Sequence, residues 1–514
     1  MSAFALIYNG TGDSIFKLKS DSIISGLKLV QEKLGNGYLS AFPEELINRN
    51  IRGESVWAPW YTLHKLLSGL IDQYLYMNNN DALEVAKGIG NWAYVKLKDI
   101  DASTRQKMLR NEFGGMNEAF YNLFAVTGNE RYKWLGDFFY HNEVIDPLKA
   151  GNNDFGTKHT NTFIPKVIGE IRNYEITGNR ESLRLSEFFW DEMMSHIFST
   201  GSLSDKEHFF PLDKFEEHLS GYTGETCVTY NMLKLGKHLF SHNPDARLFD
   251  YYEIALYNHI LGQQNPETGM VGYFLPLKTG SHRVYSTPEN SFWCCVGSGF
   301  ENHAKYGESI YFHDPENETL FVNLFIPSEL AREATGLGIT QETAFPYDPS
   351  TTLRVNGKKS TPTTIKVRVP AWAKTMDIKI NGKKLSFKKD DKGFATMKRI
   401  WNDGDRIDIK FGIDFEFVEL PGNPSKRSLR YGPIVLAGRL GTEGMETPAP
   451  VSNPELYNDY YTYDYHIPEN LPTSLNIKKL KKLDGLKWET EQGVIVEPLY
   501  DVHNERYVVY WDVE

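Results

Sequence analysis

The feature that most constrains the fold is a three-residue mark that recurs between helix-like hydrophobic patterns. Glycine favours the left-handed conformation that ends a helix, and Asp or Asn caps the next one. Two marks begin at residues 127 and 177, a spacing of 50 residues, and a degenerate copy begins at residue 77. This period predicts stacked helical hairpins in an (α/α) toroid or solenoid, and a plain helical bundle is the alternative. The marks are Thr11-Gly12-Asp13, Thr127-Gly128-Asn129 and Thr177-Gly178-Asn179, with Met77-Asn78-Asn79 as the copy.

Helical periodicity continues to about residue 312, and short alternating strand patterns follow it. Helices are predicted at 21–32, 61–76, 82–97, 117–126, 131–139, 162–176, 182–194, 226–240, 248–261 and 301–312. Strands are predicted at 320–326, 365–369, 377–380, 407–411 and 434–437, with hairpin signals at Asn356-Gly357, Asn381-Gly382 and Asp403-Gly404. We therefore predict an α+β multidomain protein, with a helical domain at 1–313 and a β-sandwich at 314–440. Residues 441–514 are predicted to form an irregular Pro- and Tyr-rich segment that returns as strands at 494–496 and 507–510.

The chain has only three cysteines, and their placement is the main chemical signal. Cys294 and Cys295 are adjacent, while Cys227 belongs to the tetrapeptide Gly224-Glu225-Thr226-Cys227. Three thiolates and the Glu225 carboxylate would suit a tetrahedral zinc ion. The alternatives are buried unpaired cysteines, a strained vicinal disulfide, and a zinc ion with a purely structural role.

Both halves of this cysteine cluster are predicted to lie at helix starts. Cys227 begins one apolar helical pattern, and Cys294 and Cys295 precede another that runs from residue 300 to 311. Helix N-termini carry partial positive charge, which lowers the pKa of a nearby thiol, and a bound metal lowers it further. The sequence therefore predicts a group of thiolates, and the functional interpretation, beside a purely structural zinc site, is that one of them is also a nucleophile.

Composition excludes several kinds of partner. The net charge of −11 and the lack of a basic run argue against nucleic acid or an anionic membrane as the main partner. No apolar run approaches the roughly 20 residues that a membrane-spanning helix needs. The first eight residues lack the positively charged region of a signal peptide.

Motifs along the helical part resemble the glycoside hydrolases of families 127 and 146, the β-L-arabinofuranosidases, with the closer likeness to family 146. The motifs occur in order over nearly the whole helical part, and the β part adds Val369-Pro370-Ala371-Trp372 and Arg430-Tyr431-Gly432-Pro433. In the helical part they are Tyr61-Thr62-Leu63-His64-Lys65, Glu112 to Glu118, Lys158 to Thr162, Glu207-His208-Phe209, Glu225 to Leu235, and Phe292 to His303.

The resemblance implies an (α/α)6 barrel followed by β-sandwich domains. It implies a Zn²⁺ ion held by Glu225, Cys227, Cys294 and Cys295. It also implies hydrolysis with retention of configuration, with Cys294 as the zinc-bound nucleophile and Glu207 as the general acid/base. The implied substrate is an arabinose-containing plant glycan. Compared with the family, the chain is expected to start late, in the middle of the first barrel helix, so that part of the sugar pocket is missing.

Polar side chains inside apolar helices are candidate binders of sugar hydroxyls, namely His64, Asn117, Glu118 and His159. For each histidine, a hydrogen-bonded place in the core is the alternative. Three tryptophans offer either a stacking wall or core packing; they are Trp57, Trp60 and Trp293.

Two other functions stay open at this point. One is the hydrolysis of another L-sugar or a branched acidic sugar on the same scaffold. The other is a non-catalytic carbohydrate-binding barrel with structural zinc. A hydrolase that uses metal-bound water is disfavoured, because four protein ligands leave no open position on a tetrahedral ion.

Overall fold

The computed structural model describes residues 1–331, 337–357, 361–445 and 467–513, in two compact units. The first unit comprises Met1–Ser195 with Phe300–Lys305, and the second comprises His196–Gly299 with the chain from Tyr306 onward. Helices come first in the chain and β-sheets follow, so the predicted α+β multidomain fold class is confirmed. The predicted boundaries at residues 313 and 440 stay a prediction.

The described helices are almost all in the N-terminal part of the chain. They are α1 (Ser2–Thr11), α2 (Ser14–Leu34), α3 (Glu45–Ile51), α4 (Pro59–Met77), α5 (Asn80–Leu97), α6 (Ala102–Leu109), α7 (Met116–Thr127), α8 (Glu130–Phe138), α9 (Asn142–Lys149), α10 (Thr160–Thr177), α11 (Arg180–Met193), α12 (Thr226–His242), α13 (Ala246–Ala255) and α14 (Cys294–Ala304).

The recurring three-residue mark acts as the sequence predicts. Gly128 follows α7 in the left-handed conformation, and the side chain of Asn129 caps α8. Gly178 and Asn179 do the same between α10 and α11, and the degenerate copy places a left-handed Asn78 after α4. Each mark therefore joins the two helices of one hairpin.

The hairpins of the first unit stack in two layers. The first helices α1, α4, α7 and α10 pack in succession, and the second helices α2, α5 and α8 form the other layer. The core lies between the layers and contains Trp60, Leu67, Ile89 and Phe120, each at most 1% exposed. This arrangement supports the hairpin repeat, while closure into a six-hairpin barrel stays a prediction.

Two helix predictions need correction at their C-terminal ends. The predicted helix at 301–312 is wrong in its bounds, because α14 starts at Cys294 and ends at Ala304. Residues Tyr311–Asp314 form a strand, which pairs antiparallel with residues 319–322. The helix predicted to Leu261 changes to a π turn at Leu256–Ile260, since Asn258 hydrogen-bonds Pro433 and Val435 in the β part.

The described part of the second unit contains three β-sheets. The described strands are β1 (Tyr311–Asp314), β2 (Thr319–Val322), β3 (Ser328–Leu330), β4 (Leu337–Thr343), β5 (Ser350–Gly357), β6 (Thr361–Arg368), β7 (Thr375–Ile380), β8 (Lys383–Leu385), β9 (Phe394–Trp401), β10 (Arg406–Gly412), β11 (Phe415–Leu420), β12 (Asn423–Tyr431), β13 (Ile434–Gly441), β14 (Lys481–Lys482), β15 (Trp488–Glu489), β16 (Ile495–Pro498), β17 (Arg506–Val508) and β18 (Tyr510–Asp512).

The first two sheets form a sandwich. Their strand orders are β1-β2-β6-β9 and β3-β4-β5-β10-β7-β8, and only β2 and β6 pair in parallel among the described strands of these sheets. Leu320 and Ile365 of one sheet share a core with Leu353 and Ile407 of the other. Of the hairpin signals, Asn381-Gly382 joins β7 to β8 as predicted. The hairpin prediction for Asp403-Gly404 is wrong, because that turn crosses from β9 to β10 in the other sheet.

A third sheet follows, with strand order β11-β12-β13-β16-β15-β14. The predicted return of the chain is seen here, since β16 and β17 pair with β13 and β18 pairs with β12. Much of the irregular Pro- and Tyr-rich segment predicted after residue 441 lies at 446–466, outside the described residues.

Candidate active site

Two helix starts meet in the second unit. Glu225 is the N-cap of α12, and Cys227 is the second residue of that helix. Cys294 and Cys295 are the first two residues of α14. The segment around Tyr273 pairs with the chain before α12, since the Thr226 amide donates to the Tyr273 carbonyl at 2.9 Å. Two distant segments are thereby brought together, as the sequence predicts for a shared site.

The four predicted metal ligands form one cluster, whose ligand atoms lie within 4.8 Å of one another. The sulfur of Cys295 is 3.2 Å from that of Cys227 and 3.9 Å from that of Cys294. Oε1 of Glu225 is 4.0 Å from each sulfur of the adjacent pair. In a tetrahedral zinc site the sulfurs are separated by about 3.8 Å, given Zn–S bonds of roughly 2.3 Å. The donor set therefore fits zinc, and no disulfide joins the three cysteines, all of which are described.

Burial governs the protonation of these thiols. Cys227 and Cys295 are 3% and 0% exposed, and burial is the largest cause that raises the pKa of each well above the usual value. The expectation that helix ends lower these thiol pKa values is therefore incomplete, because desolvation outweighs the helix termini in the bare protein. A cation among the sulfurs would reverse this balance, since metal ligation keeps a thiol deprotonated.

Cys294 differs from the other two cysteines because it is only partly buried. Its sulfur lies 3.6 Å from the hydroxyl oxygen of Tyr273, and that hydroxyl donates a hydrogen bond to Oε1 of Glu207. Tyr273 thus stands between the candidate nucleophile and the candidate acid. Sequence reasoning missed Tyr273, because no motif distinguishes it among the 29 tyrosines of the chain.

The surroundings of Tyr273 keep its hydroxyl protonated and also fix the position of its ring. Burial raises its pKa far above the ordinary value, and the neighbouring acidic groups Glu225, Cys295, Cys294 and Glu207 add to the rise. The phenol therefore keeps its proton and acts as a hydrogen-bond donor. Its ring packs at 4.7 Å from Phe274 and at 6.0 Å from Trp293, between ring centroids.

Glu207 lies on a tight turn that the sequence did not predict. Lys206 and Glu207 have φ values of 49° and 69°, in the left-handed region that non-glycine residues rarely adopt. Asp205 and His208 close the turn with two backbone hydrogen bonds of 3.2 and 3.0 Å. Such strain is typical of functional sites, where the surrounding structure maintains it.

The candidate hydroxyl binders all lie in the first unit. His64 on α4 accepts a hydrogen bond from the Gly115 amide at Nδ1, at 3.3 Å. A Cβ at Gly115 would lie 3.2 Å from His64 and 3.3 Å from Glu118, so a side chain there would require these neighbours to shift. Three of the candidates are thus buried around one turn between α6 and α7: His64, Asn117 and Glu118. His159, the N-cap of α10, is half-buried.

The three tryptophans have different environments. Trp60 is 1% exposed and packs against Trp92 and Phe139, so its assignment to a stacking wall is wrong and core packing is correct. Trp293 packs beside Tyr273 next to the cysteines. Trp57 is 95% exposed. No helix in the described part of the chain is both long enough and apolar enough to span a bilayer.

Comparison with solved structures gives the same architecture over the full chain. A GH127 β-L-arabinofuranosidase from Geobacillus stearothermophilus T6 matches 100% of this chain and 89% of its own, with a TM-score of 0.74 and 18% identity. The GH127 β-arabinofuranosidase BT3674 matches 100% of this chain and 87% of its own, with a TM-score of 0.74 and 16% identity. At these identities the likeness concerns the fold. No curated protein matches the sequence significantly.

Family profiles match the sequence directly. The profile described as "Beta-L-arabinofuranosidase, GH127 catalytic domain" matches residues 1–308, and that of the GH127 middle domain matches residues 319–413. The closer likeness to family 146 stays a prediction. The catalytic-domain match alone covers more than half of the 514 residues. This chain therefore belongs to the GH127 β-L-arabinofuranosidase family and is a glycoside hydrolase.

Proposed function

We propose that this protein is a retaining β-L-arabinofuranosidase in which Cys294 is the nucleophile and Glu207 is the general acid/base. The observation that carries the proposal is the shared contact with Tyr273. One phenolic oxygen contacts both the Cys294 sulfur and the Glu207 carboxylate, directly beside a four-donor cluster. A glycosidase needs such a pairing of a nucleophile and a proton donor.

The zinc ligands in this proposal are Glu225, Cys227, Cys294 and Cys295. A zinc ion there would keep the sulfur of Cys294 ionised at neutral pH. The half-buried position of Cys294 supports its role, since Cys227 and Cys295 are too deeply buried to meet a substrate.

The residues can carry out two balanced steps. In the first, the sulfur of Cys294 attacks the anomeric carbon while Glu207 donates its proton to the departing glycosidic oxygen. A carbon–sulfur bond forms as the carbon–oxygen bond breaks. In the second, Glu207 takes a proton from water, the water oxygen attacks the same carbon, and the sulfur leaves as a thiolate. Two displacements retain the configuration of the sugar.

The separation of the two groups supports retention. Because both contact one phenolic oxygen, the sulfur and the carboxylate oxygen are at most about 6 Å apart, the sum of two short polar contacts. Retaining glycosidases place their two groups roughly 5–5.5 Å apart, while inverting enzymes need about 6.5–9.5 Å to admit a water molecule.

We assign the substrate as a terminal β-L-arabinofuranosyl group of a plant-type glycan. The family supports this assignment. We propose that sugar hydroxyls are bound by polar side chains of the first unit, namely His64, Asn117, Glu118 and His159. Furanose recognition needs several directional donors and acceptors, and these side chains supply both.

A panel of nitrophenyl glycosides tests the proposal. The zinc-loaded protein should hydrolyse the β-L-arabinofuranoside and release β-L-arabinofuranose as the first anomer, which NMR detects. Preferred cleavage of another L-sugar or of a branched acidic sugar would replace the substrate assignment. Tight binding of arabinofuranosides without turnover, at full zinc occupancy, would show a sugar-binding protein instead. Release of the α-anomer first would rule out retention.

A further inference from the structure

We infer that Asp205 is a positioning residue for catalysis, which holds Glu207 in place through His218 and Ser220. The inference rests on the proposed acid/base role of Glu207. Asp205 itself is 6% exposed and is the first residue of the turn that presents Glu207. It therefore acts on the acid without touching the substrate.

The turn needs an external constraint because its backbone is unfavourable. Its two central residues, Lys206 and Glu207, both have positive φ, the pattern of a two-residue hairpin turn that strongly prefers Asn, Asp or Gly. Neither residue belongs to that group. The local sequence therefore favours other conformations, in which the Glu207 carboxylate would leave Tyr273.

The side chain of Asp205 supplies that constraint with both of its oxygens. His218 donates from Nδ1 to Oδ2 at 2.8 Å, and the Ser220 hydroxyl donates to Oδ1. The His218 ring is itself fixed, since it stacks on the buried Phe210 with centroids 4.4 Å apart. An anchored carboxylate thus holds the start of the turn.

The same segment links the acid to the metal cluster. The Lys206 amide donates to the Tyr222 carbonyl at 3.1 Å, and the Gly224 amide donates to the Ser204 carbonyl at 3.0 Å. Residue Gly224 directly precedes the candidate ligand Glu225. Backbone hydrogen bonds therefore connect the turn to the start of α12, which constrains the position of Glu207 relative to Cys227.

Asp205→Asn tests the inference, because it keeps the size of the side chain but cannot accept hydrogen bonds at both positions. A weak proton donor slows the cleavage of glycosides with poor leaving groups far more than that of activated ones. We therefore expect kcat/KM to fall about 10- to 100-fold for methyl β-L-arabinofuranoside and no more than about 3-fold for the dinitrophenyl glycoside. We expect the lower kcat/KM of Asp205→Asn to result from a lower kcat and not from a higher KM. Asp213→Asn, an exposed aspartate in the same segment, is the matched control.

The outcomes separate this inference from the proposed function. Glu207→Gln is measured beside Asp205→Asn on both substrates, with zinc content checked in each protein. If Glu207→Gln discriminates between the substrates and Asp205→Asn does not, the positioning role is wrong. If Glu207→Gln itself does not discriminate, the acid/base assignment fails first. An equal fall on both substrates in Asp205→Asn would show a merely structural role. If Asp205→Asn does not fold, Ser220→Ala removes one of the two hydrogen bonds and should show the same discrimination to a smaller degree.

Discussion

The two sides of the candidate site are built in opposite ways. The cysteines of the candidate metal site, Cys227, Cys294 and Cys295, lie in the first turns of two regular helices, where backbone geometry is unstrained. Glu207 lies on a strained turn whose position depends on the buried Asp205 and its partners. The metal side is thus fixed by secondary structure and the acid side by a local network. We expect mutations near the cysteines to change metal binding and those near Glu207 to change proton transfer.

The largest effect is expected on the metal side. Cys294→Ser replaces the proposed nucleophilic sulfur and should lower kcat by about 10⁴- to 10⁶-fold, as for other nucleophile substitutions. Zinc should remain at least partly bound, because Glu225, Cys227 and Cys295 are left. Activity assays with metal analysis check both points, and wild-type turnover in this variant would disprove the nucleophile assignment.

The acid side gives the next largest effect. Glu207→Gln cannot donate a proton, so we expect a fall of about 10²- to 10⁴-fold with poor leaving groups. Zinc content should be unchanged, in contrast to changes at the cysteines. Glu217→Gln, an exposed position in the same segment, serves as the control. Equal loss in the two variants would remove Glu207 from the mechanism.

Tyr273→Phe probes the contact that joins the two sides. It removes one hydrogen bond to the Glu207 carboxyl group, which becomes charged as it gives up its proton, and such a hydrogen bond contributes about 1.5–3 kcal/mol. The expected fall in kcat/KM is therefore on the order of 10- to 150-fold, with zinc retained. Tyr251→Phe is a matched control, since that buried hydroxyl donates to a backbone carbonyl instead. An unchanged rate in Tyr273→Phe would mean that the bridging contact does not serve catalysis.

Ser298→Ala tests whether a change near the cysteines affects metal binding without affecting proton transfer. The Ser298 hydroxyl is 2.9 Å from the sulfur of Cys227, in the shell behind the candidate ligands. Loss of such a partner weakens metal affinity by about 10- to 100-fold. Competition with a chromogenic chelator measures this, with the buried Ser186→Ala as control. Unlike Asp205→Asn, this variant should affect both kinds of leaving group equally when zinc is limiting.

The smallest effect concerns stability and pH. His259 lies under the start of α12, where its Nδ1 contacts the Thr229 hydroxyl at 2.7 Å, and burial lowers its pKa to about 3. Below pH 6.5 the unfolded chain binds a proton that the folded chain refuses, so stability falls as the pH drops from 6.5 towards 3. In the His259→Asn variant, residue 259 binds no proton in either the folded or the unfolded state. The difference in the free energy of unfolding between the wild type and the variant should therefore become smaller as the pH falls.

Thermal unfolding between pH 7.5 and 4 measures this gap, and the exposed His242→Asn is the control. The narrowing should amount to a few kcal/mol, on the order of 1.4 kcal/mol for each pH unit below 6.5. A gap that stays constant or widens would show that His259 is not kept neutral in the folded protein.

The metal side was predictable from the sequence and the acid turn was not. Three cysteines and Glu225 are placed at two helix starts, and this local pattern of rare residue types is enough to indicate a site. Lys206-Glu207 carries no turn signal, because its left-handed backbone is held by contacts from elsewhere in the chain, such as the hydrogen bond from the Lys206 amide to the Tyr222 carbonyl. Tyr273 could not be predicted from the sequence for the same reason, because its role depends on pairing between two segments that are distant in the chain.

The helical hairpins show the same limit. Glycine and Asn marks such as Gly128-Asn129 act within a few residues, so the sequence identified most helices correctly. The prediction at 301–312 was wrong because its apolar pattern did not distinguish the end of α14 at Ala304 from the strand that starts at Tyr311. Local signals were sufficient for the elements but not for the junction between the helical and β regions.

The most direct test of the account is to trap the sugar on the enzyme. The zinc-loaded Glu207→Gln protein, treated with a dinitrophenyl β-L-arabinofuranoside, should accumulate the covalent species, because an activated leaving group needs no acid while the attacking water still needs a base. After denaturation and digestion, mass spectrometry should find one pentosyl group on the sulfur of Cys294. A burst of dinitrophenol with the pentosyl group on a carboxylate, or on Cys227 or Cys295, would contradict the account.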